Sequence, residues 1–162
     1  MRITFAPRGI LQIDDARIIW RNFRGEGSKF NREGDRNFAL VIPDEETADR
    51  LTQDGWNIKV KPARDPDEAP LMVLPVKVKF NDRGPNIYLR AGRNTTLLDE
   101  ETIGRLDRIN ISQIDMDIRP YDWVIQEGTP NEKSGRTAYL QGMDVVQDTD
   151  RFADRYEEDD EY

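Results

Sequence analysis

Lysines and arginines alternate with apolar residues along several segments of this chain, and aromatic rings recur beside them. In Lys59–Lys61, Lys59 and Lys61 flank Val60, and in the run from Met72 to Phe80, Lys77 and Lys79 alternate with Val76, Val78 and Phe80. Tyr88 and Arg90 alternate with Ile87 and Leu89, and Arg93 follows. In an extended strand, residues two apart share a face, so each run predicts one apolar face and one cationic face. Arg21 with Phe23 and Arg36 with Phe38 place rings beside guanidinium groups in the same way, and the loop Lys29-Phe30-Asn31-Arg32 sets a phenylalanine among cations. Cations that follow phosphates and ring faces that stack on bases are the two requirements of sequence-tolerant single-stranded nucleic-acid binding. Lysines on a half-exposed strand also simply keep it solvated, and Trp20, Phe38 and Trp56 equally suit a core position.

Those residues need a β framework to hold them. Alternation and turn signals predict strands at 10–13, 16–24, 36–42, 56–61, 72–80, 86–91, 109–119 and 136–146. If residues 81–86 close a hairpin pairing Phe80 with Ile87, Lys79 faces Tyr88 and Lys77 faces Arg90. One short helix starts at the cap Asp44 and stops at Gly55; a second starts at the cap Asp99, with Leu98, Ile103 and Leu106 turned inward. Many short strands with two short helices, in 162 residues, suit one mainly β domain, a small barrel or sandwich.

Composition narrows the function. The chain has no histidine and no cysteine, which removes imidazole acid–base chemistry, Ser-His-Asp hydrolysis and thiolate or Cys-ligated zinc sites. No cofactor and no metal is expected, and the reading is a non-enzymatic binding protein. The formal charge of −8 is concentrated at the end: residues 144–162 carry a local net charge of −7, leaving the body almost neutral. A near-neutral body can still present a basic face to a polyanion. Residues 147–162 are expected to form a disordered acidic tail, and 1–146 the folded domain. No apolar run is long enough for a membrane span and the first residues lack a signal-peptide core, so a soluble, unexported chain is expected. GEGSK lacks the spacing of a phosphate-binding loop. Asp115 and Asp117 share a strand face, where a carboxylate pair could hold Mg²⁺ for phosphodiester cleavage. That nuclease reading, and an acidic interaction or DNA-mimic protein suggested by the pI of about 4.7, are the alternatives.

Several blocks in order, FRGEGSKFNREGDRNFALVIPDEE, DGWNIKVKPA, IRPYDW and SGRTAYL, resemble tailed-bacteriophage single-stranded DNA-binding proteins over about residues 20–146. The resemblance implies an OB-like five-stranded barrel with extra β-hairpins, coating single-stranded DNA in phage replication or recombination in the cytoplasm of an infected bacterium. It also implies that the acidic C-terminus, Glu157, Glu158, Asp159, Asp160 and Glu161 followed by Tyr162, contacts replication proteins. Double-stranded DNA remains open as a second ligand, and so does the oligomeric state.

Overall fold

The computed structural model describes residues 1–149. Its strands are β1 (Arg2–Phe5), β2 (Leu11–Asp14), β3 (Ile18–Asn22), β4 (Arg36–Val41), β5 (Lys59–Lys61), β6 (Leu71–Val78), β7 (Asn86–Ala91), β8 (Asn94–Leu98), β9 (Ile111–Ile125) and β10 (Lys133–Gln147). One α-helix, α1 (Glu45–Asp54), follows β4, and a 3-10 turn, Ile103–Asp107, precedes β9. The residues expected to dock replication proteins, Glu157, Glu158, Asp159, Asp160, Glu161 and Tyr162, lie outside the described residues.

The hydrogen-bonded order runs β2, β9, β10, β6, β4, β3, and its first and last members are consecutive along the chain. Residues 15–17 join them: Ala16 N donates to Ile114 O of β9 at 2.7 Å, and Val41 N at the end of β4 donates to Arg17 O at 2.9 Å. One bent strand, β2 plus β3, therefore switches partners midway and completes a ring of five strands, in which β6 and β10 are parallel and the other pairs antiparallel. This is the mainly β, OB-like barrel expected. β1 is added beside β2, β5 beside β6, and the β7–β8 hairpin beside β10.

The inward side chains follow the alternation. Val76, Val78, Ile87, Leu89, Ile114, Met116 and Ile118 enter one core with Phe23, Phe38 and Trp56. α1 starts and stops as its sequence dictates, with Asp44 Oδ1 accepting from Thr47 N at 2.7 Å and Gly55 in the left-handed conformation at φ 107°. Thr47's hydrogen bonds hold the Asp44 carboxyl below its ordinary value. The second expected helix is reduced to the five-residue 3-10 turn. Asp99 accepts from Glu101 N and Thr102 N as a cap would, and Leu98, Ile103 and Leu106 are buried. Asn110 follows almost at once and bonds Asp148 N, so the chain is committed to β9 before a second helical turn can form.

Three expectations are corrected. β6 and β7 do not pair with each other. Both run parallel to β10 in succession, Val76 and Lys77 beside Ala138 and Tyr139, then Asn86 to Arg90 beside Gly142 to Val146. Residues 79–85 loop out between them around a tight Asn81–Gly84 bridge. Lys77 and Arg90 consequently sit on rows of β10 roughly 23 Å apart at about 3.3 Å per residue, not opposite one another. Val60 does not enter the core: it lies opposite Met72, but β5 is wholly exposed on the edge of β6. β9 and β10 each continue well beyond the barrel, as a two-stranded arm of residues 121–125 and 133–137.

Candidate nucleic-acid interface

The arm and the barrel wall share one outer surface. Ile114, Met116 and Ile118 point inward, so by alternation Arg119, Tyr121 and Trp123 lie on the outer face of β9. β10 contributes Gly135, Thr137 and Tyr139 opposite them. Register carries this face across the barrel: Asn37 of β4 pairs with Lys77 of β6, Lys77 with Tyr139 of β10, and Tyr139 with Arg119 of β9. The Arg119 guanidinium stands 4.8 Å over the Tyr139 ring, and Tyr121 meets Tyr139 edge to face with centroids 6.2 Å apart. Trp123 lies across Gly135, where a Cβ would come within 2.6 Å of its ring. The absence of a side chain at 135 lets the indole lie against the arm. Tyr121 is 54% exposed. Cations and rings thus neighbour one another on this face, with Tyr121 the most open of the rings.

Across β3 a second ring is presented. Trp20 is 50% exposed, with Lys61 Nζ 4.4 Å over its indole. Its backbone has φ 53°, and the β3–β4 pairing shifts register between Ile19 and Asn22. That irregularity turns Trp20 outward while sending Phe23 into the core.

Several expected nucleic-acid contacts are corrected by this geometry. Phe23 and Phe38 are buried and stacked on each other at 5.3 Å. Arg21 spends its guanidinium on Leu106 O and Ile109 O at 2.9 and 2.8 Å, tying β3 to the 3-10 turn. Arg36 shares the inward face with Phe38, as expected, but at the barrel rim. It stacks on Phe80 and bonds Glu100, so it locks β4 to the segment after β8. Of the remaining expected residues, Lys59, Lys61 and Lys77 are exposed on the strands, Lys79 just past the end of β6, and Lys29, Phe30 and Arg32 on the loop between β3 and β4. Arg93 lies in the turn between β7 and β8.

A groove of about 940 Å³ gathers Lys79, Tyr88 and Arg119 with Asp14, Asp117 and Asp144. Arg90, beside it, bonds Asp144 at 3.0 Å. Burial, and then the charge of Asp14, push the Asp117 carboxyl above its ordinary value. Asp115 accepts from Asp15 N at 2.9 Å, so of the two acids considered for Mg²⁺ one is already engaged. Carboxylates offset the cations in this groove, Arg119 among them, whereas Lys77 and Tyr139 of the row lie outside its lining.

The arm is fixed from behind by Arg136. Its guanidinium chelates Asp122 at 2.6 and 3.3 Å, donates to Asp54 O at the end of α1 at 2.7 Å, and lies 5.0 Å over the Trp56 ring. That hydrogen bond from Arg136 is the main cause holding the Asp122 carboxyl below its ordinary value.

The model of the phage ssDNA-binding domain family matches residues 2–161. The chain belongs to this family. Among solved structures it is similar to the single-stranded DNA-binding protein from bacteriophage Enc34 in complex with ssDNA, with a TM-score of 0.58 and 12% identity over 93% of each chain. It is also similar to the C-terminal truncation of the Enc34 protein, with a TM-score of 0.52 and 12% identity over 91% of each chain. At that identity the likeness is one of fold. No curated protein matches the sequence. The row of cations and rings is a surface that combines the two chemistries single-stranded DNA binding needs. Arg119, Tyr121, Trp123 and Tyr139 are its unanticipated members. The signal was present in RPYDW, where alternation alone puts an arginine and two rings on one strand face. Among the described residues no helix is long and apolar enough to cross a membrane.

Proposed function

We propose that this domain binds single-stranded DNA along the outer face of β6, β10 and the arm, without sequence preference and without catalysing a reaction. Lys59, Lys61, Lys77, Arg119 and Lys133 follow the phosphates, and Trp20, Tyr121, Trp123 and Tyr139 stack on bases. The observation that carries the reading is the register row Asn37, Lys77, Tyr139, Arg119, which aligns cation and ring across four strands. Coating of this kind protects single strands during phage replication or recombination in the cytoplasm of an infected bacterium. The acidic C-terminus, ending in Tyr162, then serves as the contact for replication proteins and as a competitor for the basic row.

Fluorescence titration with oligothymidylate, read through the tryptophans, tests the assignment. Lys77→Ala with Arg119→Ala should lower the slope of log K against log salt by about 1.4, since each phosphate contact to a single strand accounts for about 0.7. A duplex of equal length measures strand preference in the same assay. An unchanged slope and affinity would show that the row is ordinary solvated surface.

A further inference from the structure

We propose that copies of this chain associate head to tail, the tip of the loop between β3 and β4 of one copy seating in an apolar groove at the opposite end of the next. The tip is built as a knob. Phe30 is 92% exposed, with Lys29 Nζ 5.7 Å from its ring centroid and Arg32 also exposed. The backbone beneath it is held in place: Ser28 N donates to Asn31 O at 2.8 Å, Gly34 N to Gly25 O at 2.8 Å, and Asn31 Nδ2 to Glu26 O at 2.9 Å. Asn37 Nδ2 ties the tip to β4 through Asn31 Oδ1 at 2.8 Å. A phenylalanine presented on a braced loop has already met the ordering cost of being held out, which favours its use as a contact.

The complementary surface is a groove of about 870 Å³ between α1, β5 and the start of β6. Ile42, Ile58, Val60, Leu71 and Met72 line it, and Val60 is 58% exposed. Asp44, Glu45 and Asp49 from the first turns of α1 form an acidic rim, while Asp15 and Arg17 at the other margin offset each other. An apolar floor under carboxylates suits an apolar side chain flanked by cations, and Phe30 between Lys29 and Arg32 has that pattern. The volume is that of a cleft for a loop tip rather than for one ring.

Position makes the two surfaces a repeat. β3 starts beside Arg17 at the groove and ends at Asn22, where the loop begins; β4 returns from Arg36 to Val41 and Ile42 at the groove. Knob and groove therefore lie at opposite ends of the same two strands. A copy cannot fill its own groove with its own knob, and contact between two different patches is heterologous, so it propagates from copy to copy. The contact uses neither the outer row nor the arm. It is independent of the DNA reading, which supplies only its use: neighbouring copies on one strand support each other.

Sedimentation velocity of the full chain without DNA, over a concentration series into the hundreds of micromolar, tests this. Association beyond dimers is expected, weakened at least about tenfold by Phe30→Ala and by the double variant Glu45→Lys/Asp49→Lys. An equimolar mixture of those two proteins should stop at heterodimers, because one intact knob then meets one intact groove. A wild-type chain monomeric throughout would overturn the proposal, as would a mixture that fails to pair although both proteins melt as the wild type does. Association retained in Phe30→Ala but lost on deleting residues 150–162 would place the contact in the acidic segment and also overturn it. Binding to an oligonucleotide long enough for one copy is read separately. If Phe30→Ala weakens that binding and leaves association intact, Phe30 stacks on a base and is not a knob; loss of DNA binding in the outer-row variants alone leaves the head-to-tail contact standing.

Discussion

Arg136→Ala should loosen the arm without removing a phosphate contact, and the two effects can be separated. The guanidinium side chain is only 19% exposed and makes three kinds of contact. Its hydrogen bond to Asp54 O, from a charged donor at 2.7 Å, is worth about 1.5 kcal/mol. Its place over the buried Trp56 ring adds about 1 kcal/mol. The pair with Asp122 adds only a few tenths of a kcal/mol, because that carboxylate is 65% exposed and solvent screens it. A loss of about 2–3 kcal/mol leaves a domain with 5–15 kcal/mol of stability folded at 25 °C, and lowers Tm by about 5–10 °C. The arm then no longer presents Tyr121 and Trp123 in a fixed pose, and oligothymidylate affinity should fall about tenfold, less than the loss of one full stacking contact at its upper value of about 3 kcal/mol. Arg136→Lys should fail to restore it, since an ammonium cannot chelate Asp122 while reaching the Asp54 carbonyl. The salt slope should not change, because Arg136 faces α1. A slope reduced by about 0.7 would refute this reasoning and make Arg136 a phosphate ligand.

Tyr139→Ala should cost about 1–3 kcal/mol of single-strand affinity with no change in salt slope, as stacking releases few counterions; a reduced slope would show that the ring had only been positioning Arg119 or Lys77. The Asp122 carboxyl is held below its ordinary value in the folded protein, so the stability it contributes is complete above the ordinary carboxylate range and is lost as pH falls through its lowered value. Protection factors of the arm amides, corrected for the intrinsic pH dependence of exchange, should therefore be flat through neutral pH and fall only below about pH 4, and Asp122→Asn should abolish that fall. Deleting residues 150–162, which carry most of the acidic excess, should strengthen DNA binding most at low salt, where screening is weakest; equal affinity at all salt concentrations would exclude competition by that segment.

Alternation gave the inward side chains of β6, β7 and β9 because burial is a property of each strand by itself. Ile87 and Leu89 must face the core whatever strand lies beside them. Pairing is a property of two strands, and nothing in residues 81–86 distinguishes a hairpin turn from a looped-out excursion along a third strand. The deciding partner, β10, is more than fifty residues away, and its length lets it accept β6 and β7 in succession. β8 was missed for a related reason: Asn94-Thr95-Thr96-Leu97-Leu98 has a single buried residue, Leu98, so it shows no alternation. It is a strand because β7 offers it an edge.

The site was legible where the backbone is regular and illegible where it is not. Lys77 lies outward as alternation requires. In β3 the same rule fails at Trp20, whose positive φ and register shift reverse which face its neighbours occupy, so that Phe23 is buried and Trp20 exposed. A non-glycine residue in the left-handed region has no reliable sequence signature. Arg21 and Arg36 were misread for another reason. A guanidinium can satisfy backbone carbonyls as readily as phosphates, and the carbonyls that claim these two, at Leu106, Ile109 and Glu100, approach only once the chain has folded. The direction of an arginine beside an aromatic is thus ambiguous from sequence until the rim of the barrel is located, whereas the outward direction of a lysine midway along a strand, with apolar neighbours on both sides, is not. The arm obeys the regular case. Arg119, Tyr121 and Trp123 alternate without interruption, and their face follows from Ile118 being buried, so the proposed row could be read from the strand that best preserves its period.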